Sequence, residues 1–207
     1  MTHGLPTRLH DLLEGYGWGP LFQMVWIEGG DLERVARLLR ADLGSARECA
    51  LGDHSVYEWD SPGDLPVAGA VWGGETGTGW TQVLPLAGFL LSALEVQAAL
   101  TVGGGRLLHL HWNVVDGSRT LIHVVGGEVT TVVDGWGYTD GSDPAALDRY
   151  RLDLDLDLGP DTPWDVGISS MLTLVGRVVG RQVDREWLDA AHLRYLIPGD
   201  AWPEVTG

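Results

Sequence analysis

Short apolar runs separated by glycine-rich turns dominate the first two thirds of the chain. The run 21–27 is rich in β-forming residues and ends at Glu28-Gly29-Gly30, which predicts a buried strand and its exit turn. Similar runs predict strands over 55–59, 67–72, 80–84, 108–113 and 128–134. Because the turns between them are short, these strands are predicted to pair in antiparallel fashion.

Helical spacing of apolar residues marks a second kind of segment. Asp31 is the predicted N-cap of a helix with one apolar stripe, and the Ala- and Leu-rich stretch 89–101 predicts a buried helix that ends at three glycines. In the last third, apolar residues keep helical spacing over 168–179. Asp184 then predicts the cap of a last helix that carries Trp187 and Tyr195.

Together these elements predict an α+β fold. We expect a mostly antiparallel sheet of about six or seven strands, covered by helices, with a helical C-terminal third. The chain has 207 residues, 44% hydrophobic and 20% charged, which is typical of a globular protein with a sizeable core. No internal repeat or linker divides the sequence, so residues 1–207 are predicted to form a single domain, with 1–16 as a peripheral N-terminal segment.

The charge of the chain excludes several function classes. A formal net charge of −16 at pH 7 disfavours nucleic acid and anionic membranes as partners and favours a basic partner. The sequence contains no lysine, which excludes Schiff-base catalysis and the phosphate-binding lysine of P-loop enzymes. The glycine-rich stretch 73–79 lacks the strand and helix context of a dinucleotide site, so no nucleotide cofactor is expected.

Cysteine usage and hydropathy predict a cytoplasmic location. Cys49 is the single cysteine and cannot form an internal disulfide, and residues 1–17 hold no apolar secretory signal. The least charged stretch, 80–105, is interrupted by Pro85 and Gly88, so no membrane span is expected.

Three histidines crowd the hairpin predicted around Asp116-Gly117. His109 and His111 alternate with apolar residues along the first strand, so both imidazoles point to one face. If the turn pairs His111 opposite His123, all three imidazoles share that face and could bind zinc or another divalent metal that activates water. The alternative is a hydrated polar sheet face whose histidines have no function, and a one-residue slip would place His123 on the opposite face.

Two weaker candidates come from loops. His54 stands between Asp53 and Ser55, which are acid–base residue types, although the same string is typical of a turn. Aromatic residues in glycine-rich loops could line an acidic ligand or partner surface, or could instead plug the ends of the sheet. The residues predicted for this surface are Trp72, Trp136, Tyr138, Asp140 and Trp164.

A series of motifs runs through the middle of the chain. Trp80-Thr-Gln-Val-Leu-Pro-Leu-Ala-Gly-Phe89 is followed by a helix, by a strand that ends at Trp112-Asn113-Val114, and by the helix start Asp143-Pro144-x-x-Leu147. In this order the motifs resemble a domain-of-unknown-function family from actinobacterial genomes, over roughly residues 17 to 196. Members of that family typically carry a glutamate where this chain has Pro85, so no role of that acid is transferred. The resemblance implies a fold and a compartment, and it implies no activity.

Two functions of different classes fit these features. The first is a non-catalytic cytoplasmic binding module, regulatory or immunity-like, whose acidic aromatic surface binds a basic protein partner or a small molecule. The second is a small hydrolytic or natural-product tailoring enzyme that uses a pocket of His109, His111 and His123, with or without a divalent metal. The chain has no Gly-x-Ser-x-Gly elbow, and the acidic charge favours the first function.

Overall fold

Strands and helices alternate along the chain in the computed structural model, which describes residues 9–53, 67–135, 138–154, 156 and 163–202. The strands are β1 (Leu21–Glu28), β2 (Asp42–Ala50), β3 (Val67–Glu75), β4 (Trp80–Ala87), β5 (Arg106–Asn113), β6 (Ser118–Val125), β7 (Glu128–Asp134), β8 (Thr139–Asp140) and β9 (Ala191–Pro198). The helices are α1 (Leu9–Glu14), α2 (Leu32–Leu38), α3 (Leu94–Thr101), α4 (Asp148–Arg151), α5 (Trp164–Val179) and α6 (Arg185–Asp189).

The strands form one antiparallel sheet in the order β2-β9-β3-β4-β1-β5-β6-β7-β8. The predicted α+β class and antiparallel sheet are confirmed, whereas the expected six or seven strands become nine among the described residues. The pattern analysis missed β2, β8 and β9. The predicted strand over 55–59 lies outside the described residues.

Helices cover both faces of the sheet. On the first face, which we call the α5 face, apolar strand residues pack against α5. Its largest buried side chains include Phe22, Trp26, Leu110 and Trp112. The second face, the α2–α3 face, packs Val25, Ile27 and Leu107 against the two helices for which it is named. Successive side chains of β1 point to opposite faces, so both neighbours Val25 and Trp26 are buried.

Two helix starts follow the predicted capping chemistry. The Asp31 carboxylate accepts a hydrogen bond from the Arg34 backbone N at 2.7 Å, and Asp184 accepts one from the Trp187 backbone N at 2.7 Å. These side chains satisfy backbone donors that have no partner inside the helix. Both predicted N-caps are confirmed.

The C-terminal third is only partly helical. α5 and α6 lie where helices are expected, but the last predicted helix ends at Asp189 and the chain continues as β9. β9 inserts between β2 and β3, where it pairs along both sides and buries Tyr195 and Ile197. Pairing with two neighbouring strands therefore overrides the helical spacing of the apolar residues in this segment.

The N-terminal helix is part of the core. Leu13 of α1 is fully buried among residues of the α5 face, and the His10 backbone N donates to Ser169 Oγ of α5 at 3.3 Å. Within the predicted N-terminal segment, α1 is therefore anchored to α5 through Leu13 and His10. Among the described helices, none combines the length and the apolar character needed to cross a membrane.

Candidate functional site

The register of the β5–β6 hairpin separates the three histidines. Leu108 pairs with His123, and His111 pairs with Thr120, so the register predicted from the sequence is wrong by three residues. Because an odd shift inverts the face of every side chain, His123 lies on the α5 face while His109 and His111 lie on the α2–α3 face. The predicted metal patch of these three histidines is not formed.

The loop between β5 and β6 explains this register. The Asn113 Nδ2 amide donates to Asp116 Oδ2 at 3.0 Å, and Asp116 Oδ1 accepts from the Ser118 backbone N at 2.8 Å. Asn113 Oδ1 accepts from the Val115 backbone N at 2.9 Å. These side-chain hydrogen bonds close a four-residue loop between the paired residues Asn113 and Ser118. The loop length sets which residues of the two strands lie opposite each other.

His109 and His111 are adjacent but do not form an open site. His109 is 1% exposed, and the Gln97 amide donates to its Nδ1 at 3.0 Å. An amide nitrogen only donates, so Nδ1 is the acceptor and the ring is neutral. Burial lowers the pKa of His109 to about 3, and the neighbouring His111 acts in the same direction. The His111 ring, stacked 5.4 Å away, has a pKa that is also lowered by burial.

His123 is held by a different set of contacts on the α5 face. It is 6% exposed, and its Nδ1 lies 3.0 Å from Thr130 Oγ1. Burial lowers the pKa of His123, and the positive charge of Arg106 acts in the same direction. All three histidines of the hairpin are therefore neutral at pH 7, with His109 and His123 buried and His111 half-buried.

Of the predicted surface aromatics, Trp72 is buried and Trp164 is half-buried. Trp72 is 0% exposed, and its indole N–H donates to the Cys49 carbonyl at 2.8 Å, so its prediction as a surface residue is wrong. Trp164 is half-buried at the start of α5. The guanidinium carbon of Arg119 lies 5.0 Å from the centre of the Trp164 ring.

The other predicted surface residues lie near the turn between β7 and β8. Tyr138 is 75% exposed, and Asp140 is exposed beside it. The Asp134 carboxylate accepts a hydrogen bond from the Tyr138 backbone N at 2.8 Å. Trp136 and His54 lie outside the described residues.

A groove of about 510 Å³ opens near the β2 edge of the sheet, and the sequence analysis did not identify it. Its walls come from the start of α2, from β2, and from the paired ends of β3 and β9. The lining residues are Asp31, Leu32, Glu33, Glu48, Gly73, Gly74, Glu75, Ala191, His192 and Leu193. We call it the acidic groove, because four of these side chains are carboxylates.

Two glycines make the floor of the acidic groove. A Cβ on Gly73 would lie 2.1 Å from the Gln82 carbonyl oxygen, and a Cβ on Gly74 would lie 2.5 Å from His192 Nδ1. No real Cβ approaches other atoms so closely, so the floor here is bare backbone. On the α5 face of the sheet, behind this floor, the His192 ring packs against Gly74 and stacks on Trp187 with centroids 4.3 Å apart.

His192 is fixed in one neutral state beside this groove. Its Nε2–H donates to the Trp187 carbonyl at 2.9 Å, so in the neutral ring Nδ1 carries no proton. Burial lowers the pKa of His192, and the Trp187 carbonyl partly opposes that effect. The imidazole, which packs with Trp72 and Trp187 on the α5 face, therefore carries no positive charge at neutral pH.

The four carboxylates differ in how strongly they are already engaged. Asp31 caps α2, and Glu33 forms an exposed ion pair with Arg37 one turn along the helix. Glu48 and Glu75 have no ion pair within the described part of the chain. These two carboxylates are therefore free to bind a cationic group.

Sequence reasoning missed this site for identifiable reasons. β9, which supplies His192 and Leu193, was predicted as a helix, and β2, which supplies Glu48, was not predicted at all. One usable signal was present. Gly73-Gly74-Glu75 ends an apolar strand, and a glycine pair in a strand marks a close approach of another group.

No family model, curated protein or solved structure matches the chain. The resemblance to an actinobacterial family stays a prediction, and the acidic groove is interpreted from its own geometry.

Proposed function

We propose that this protein is a non-catalytic binding module whose acidic groove receives a lysine- or arginine-rich segment of a protein partner. The observation that carries the proposal is the position of Glu48 and Glu75, two carboxylates without ion pairs to any described residue, at a groove with a backbone floor. The net charge of −16 would attract such a segment from a distance. A regulatory or immunity-like role in the cytoplasm is the corresponding expectation.

The shape of the groove suits an extended basic side chain. Leu193 is 38% exposed and offers an apolar surface for the methylene groups of lysine or arginine, while the carboxylates take the charged end. A volume of about 510 Å³ has room for one or two such side chains. An enzyme built on a pocket of His109, His111 and His123 is not proposed, because the sheet separates these residues.

A lysine-rich peptide tests the proposal directly. A carbodiimide joins carboxylates to amines and therefore couples the acids of the chain to a nona-lysine peptide. Because the chain contains no lysine, its α-amino group is its only amine. Peptide mapping of the coupled residues should identify Glu48 and Glu75 first. Coupling spread evenly over the exposed acids, including Asp140, would contradict a specific groove.

Matched variants separate the groove from overall charge. The double variant Glu48→Gln/Glu75→Gln should bind nona-lysine about fivefold more weakly, because two exposed ion pairs of about 0.5 kcal/mol each are lost. The control Glu95→Gln/Glu128→Gln removes two exposed carboxylates elsewhere and should change affinity less than about twofold. Equal losses in both variants would show that only net charge matters, and the proposal would then be wrong.

A further inference from the structure

A second cluster of polar side chains lies on α1, far along the chain from the acidic groove. One ligand atom from each of His10, Asp11 and Glu14 lies within 4.8 Å of the other two. The helix explains the clustering, because residues three and four positions apart are neighbours on a helix surface. Glu14 is therefore close to both His10 and Asp11.

The imidazole of His10 is the unusual member of this cluster. His10 is 9% exposed, and its Nδ1 is buried without a hydrogen-bond partner among the described residues. This nitrogen is aimed at the carboxylates, since it lies 3.7 Å from Asp11 Oδ1. A buried polar atom without a partner is unfavourable, so a ligand that bonds to Nδ1 would stabilise the fold.

A cavity adjoins the cluster on one side. It has a volume of about 350 Å³, and His10, Glu14 and Trp164 are among its lining residues. The indole nitrogen of Trp164 is also buried without a hydrogen-bond partner among the described residues. The cavity therefore brings a second polar group without a partner next to the three ligand atoms.

We propose that His10, Asp11 and Glu14 bind one divalent transition-metal ion, with Zn²⁺ as the best match. One imidazole nitrogen and two carboxylate oxygens are ligands that zinc accepts at about 2.0–2.2 Å, which corresponds to about 3.4 Å between tetrahedral ligands. The observed 3.7 Å between His10 Nδ1 and Asp11 Oδ1 is close to that spacing. Three protein ligands leave a fourth position for water from the adjoining cavity.

The site also has a structural consequence. α1 is held on α5 by packing and by the bond from the His10 backbone N to Ser169 Oγ. Metal binding to three side chains of α1 would stabilise this short helix, because six residues are too few to be stable alone. Zinc should therefore raise the melting temperature of the native chain.

Calorimetric titration of the untagged chain with ZnCl₂ at pH 7 tests this proposal. We expect about one equivalent of Zn²⁺ to bind, with affinity at least tenfold weaker in Glu14→Gln and in Asp11→Asn. Both acids are exposed, so these variants should fold, which circular dichroism would verify. Zinc should raise the melting temperature of the native chain and leave that of the double variant Asp11→Asn/Glu14→Gln unchanged.

Control variants locate the metal. Glu95→Gln and Glu128→Gln should bind Zn²⁺ as the native chain does, since neither residue belongs to the cluster. Less than about 0.2 equivalents bound to the native chain would overturn the proposal. Unchanged zinc binding in the double variant Asp11→Asn/Glu14→Gln would also overturn it, because the metal would then lie at other residues.

Discussion

Histidines stand at the centre of the sheet and near its β2 edge, and the two positions give the same side chain different surroundings. His109 on β5 is enclosed on every side, whereas His192 on β9 is half-buried and borders the acidic groove. Both rings are neutral because burial lowers their pKa values. Only the edge position leaves space for a ligand. The position of a strand in the sheet, more than its residue types, therefore decides where binding can occur.

Acid pH should lower the stability of the fold most strongly through His109, the histidine at the centre of the sheet. The pKa of His109 is about 3 in the folded protein and 6.5 for an ordinary histidine, so the unfolded chain takes up a proton first as the pH falls. Stability is therefore present above pH 6.5 and is lost progressively between pH 6.5 and 3. The loss amounts to about 4 to 5 kcal/mol at the acid end of that range.

Urea unfolding at several pH values measures this loss. His109→Gln should remove it, so that the difference in unfolding free energy between variant and native chain changes steeply below pH 6.5. His192→Gln should flatten the pH profile much less, since its ring is only half-buried. Equal effects of the two substitutions would contradict the contrast between the centre and the edge.

Substitution of Trp72 measures how much the aromatic packing beneath the acidic groove contributes to stability. Its ring lies edge-on to both Trp187 and His192, with centroids 5.1 Å and 4.8 Å away. Trp72→Ala should lower the free energy of unfolding by about 3 to 5 kcal/mol, because it leaves a large cavity. The exposed Tyr138 is the matched control, and Tyr138→Ala should change stability by less than about 0.5 kcal/mol. A loss below about 1 kcal/mol for Trp72→Ala would contradict its buried position.

Local signals in the sequence were enough for much of this fold. β1, β5 and β7 were predicted close to their observed bounds, and the caps at Asp31 and Asp184 were correct. Each of these depends on neighbouring residues, such as an apolar run between turns or a carboxylate before a helix.

Long-range pairing decided the parts that the sequence did not reveal. β9 is a strand because β2 and β3 flank it, and residues more than a hundred positions earlier supply those strands. The length of the loop between β5 and β6 decides on which face of the sheet His123 lies. The spacing of the histidines in the sequence does not reveal that length. The metal patch was therefore predicted wrongly. The acidic groove was missed because its walls come from four separate elements, α2, β2, β3 and β9.

Substitution of Gly74 should have a smaller effect on stability, which arises from its contact with His192 near the β2 edge. A methyl group at this position would lie 2.5 Å from His192 Nδ1, so Gly74→Ala should displace the ring and lower stability by about 1 to 3 kcal/mol. Removing the ring in Gly74→Ala/His192→Ala should recover part of that loss, which a double-mutant cycle measures as coupling. Gly52 has open space around its Cα, so Gly52→Ala is the control and should be nearly neutral. Purely additive effects would show that Gly74 and His192 are not in contact.

The smallest expected effect concerns the groove carboxylates themselves. Glu48 and Glu75 have no ion pair within the described residues, so Glu48→Gln/Glu75→Gln should change the free energy of unfolding by less than about 0.5 kcal/mol. His109 would then contribute to stability without access to a ligand, and the two glutamates would have access without a role in stability. Thermal unfolding of the double variant measures this difference, with Glu95→Gln/Glu128→Gln as the charge-matched control. A clear loss of stability confined to the groove variant would mean that these carboxylates hold the β2 edge together, and the edge would then be structural as the centre is.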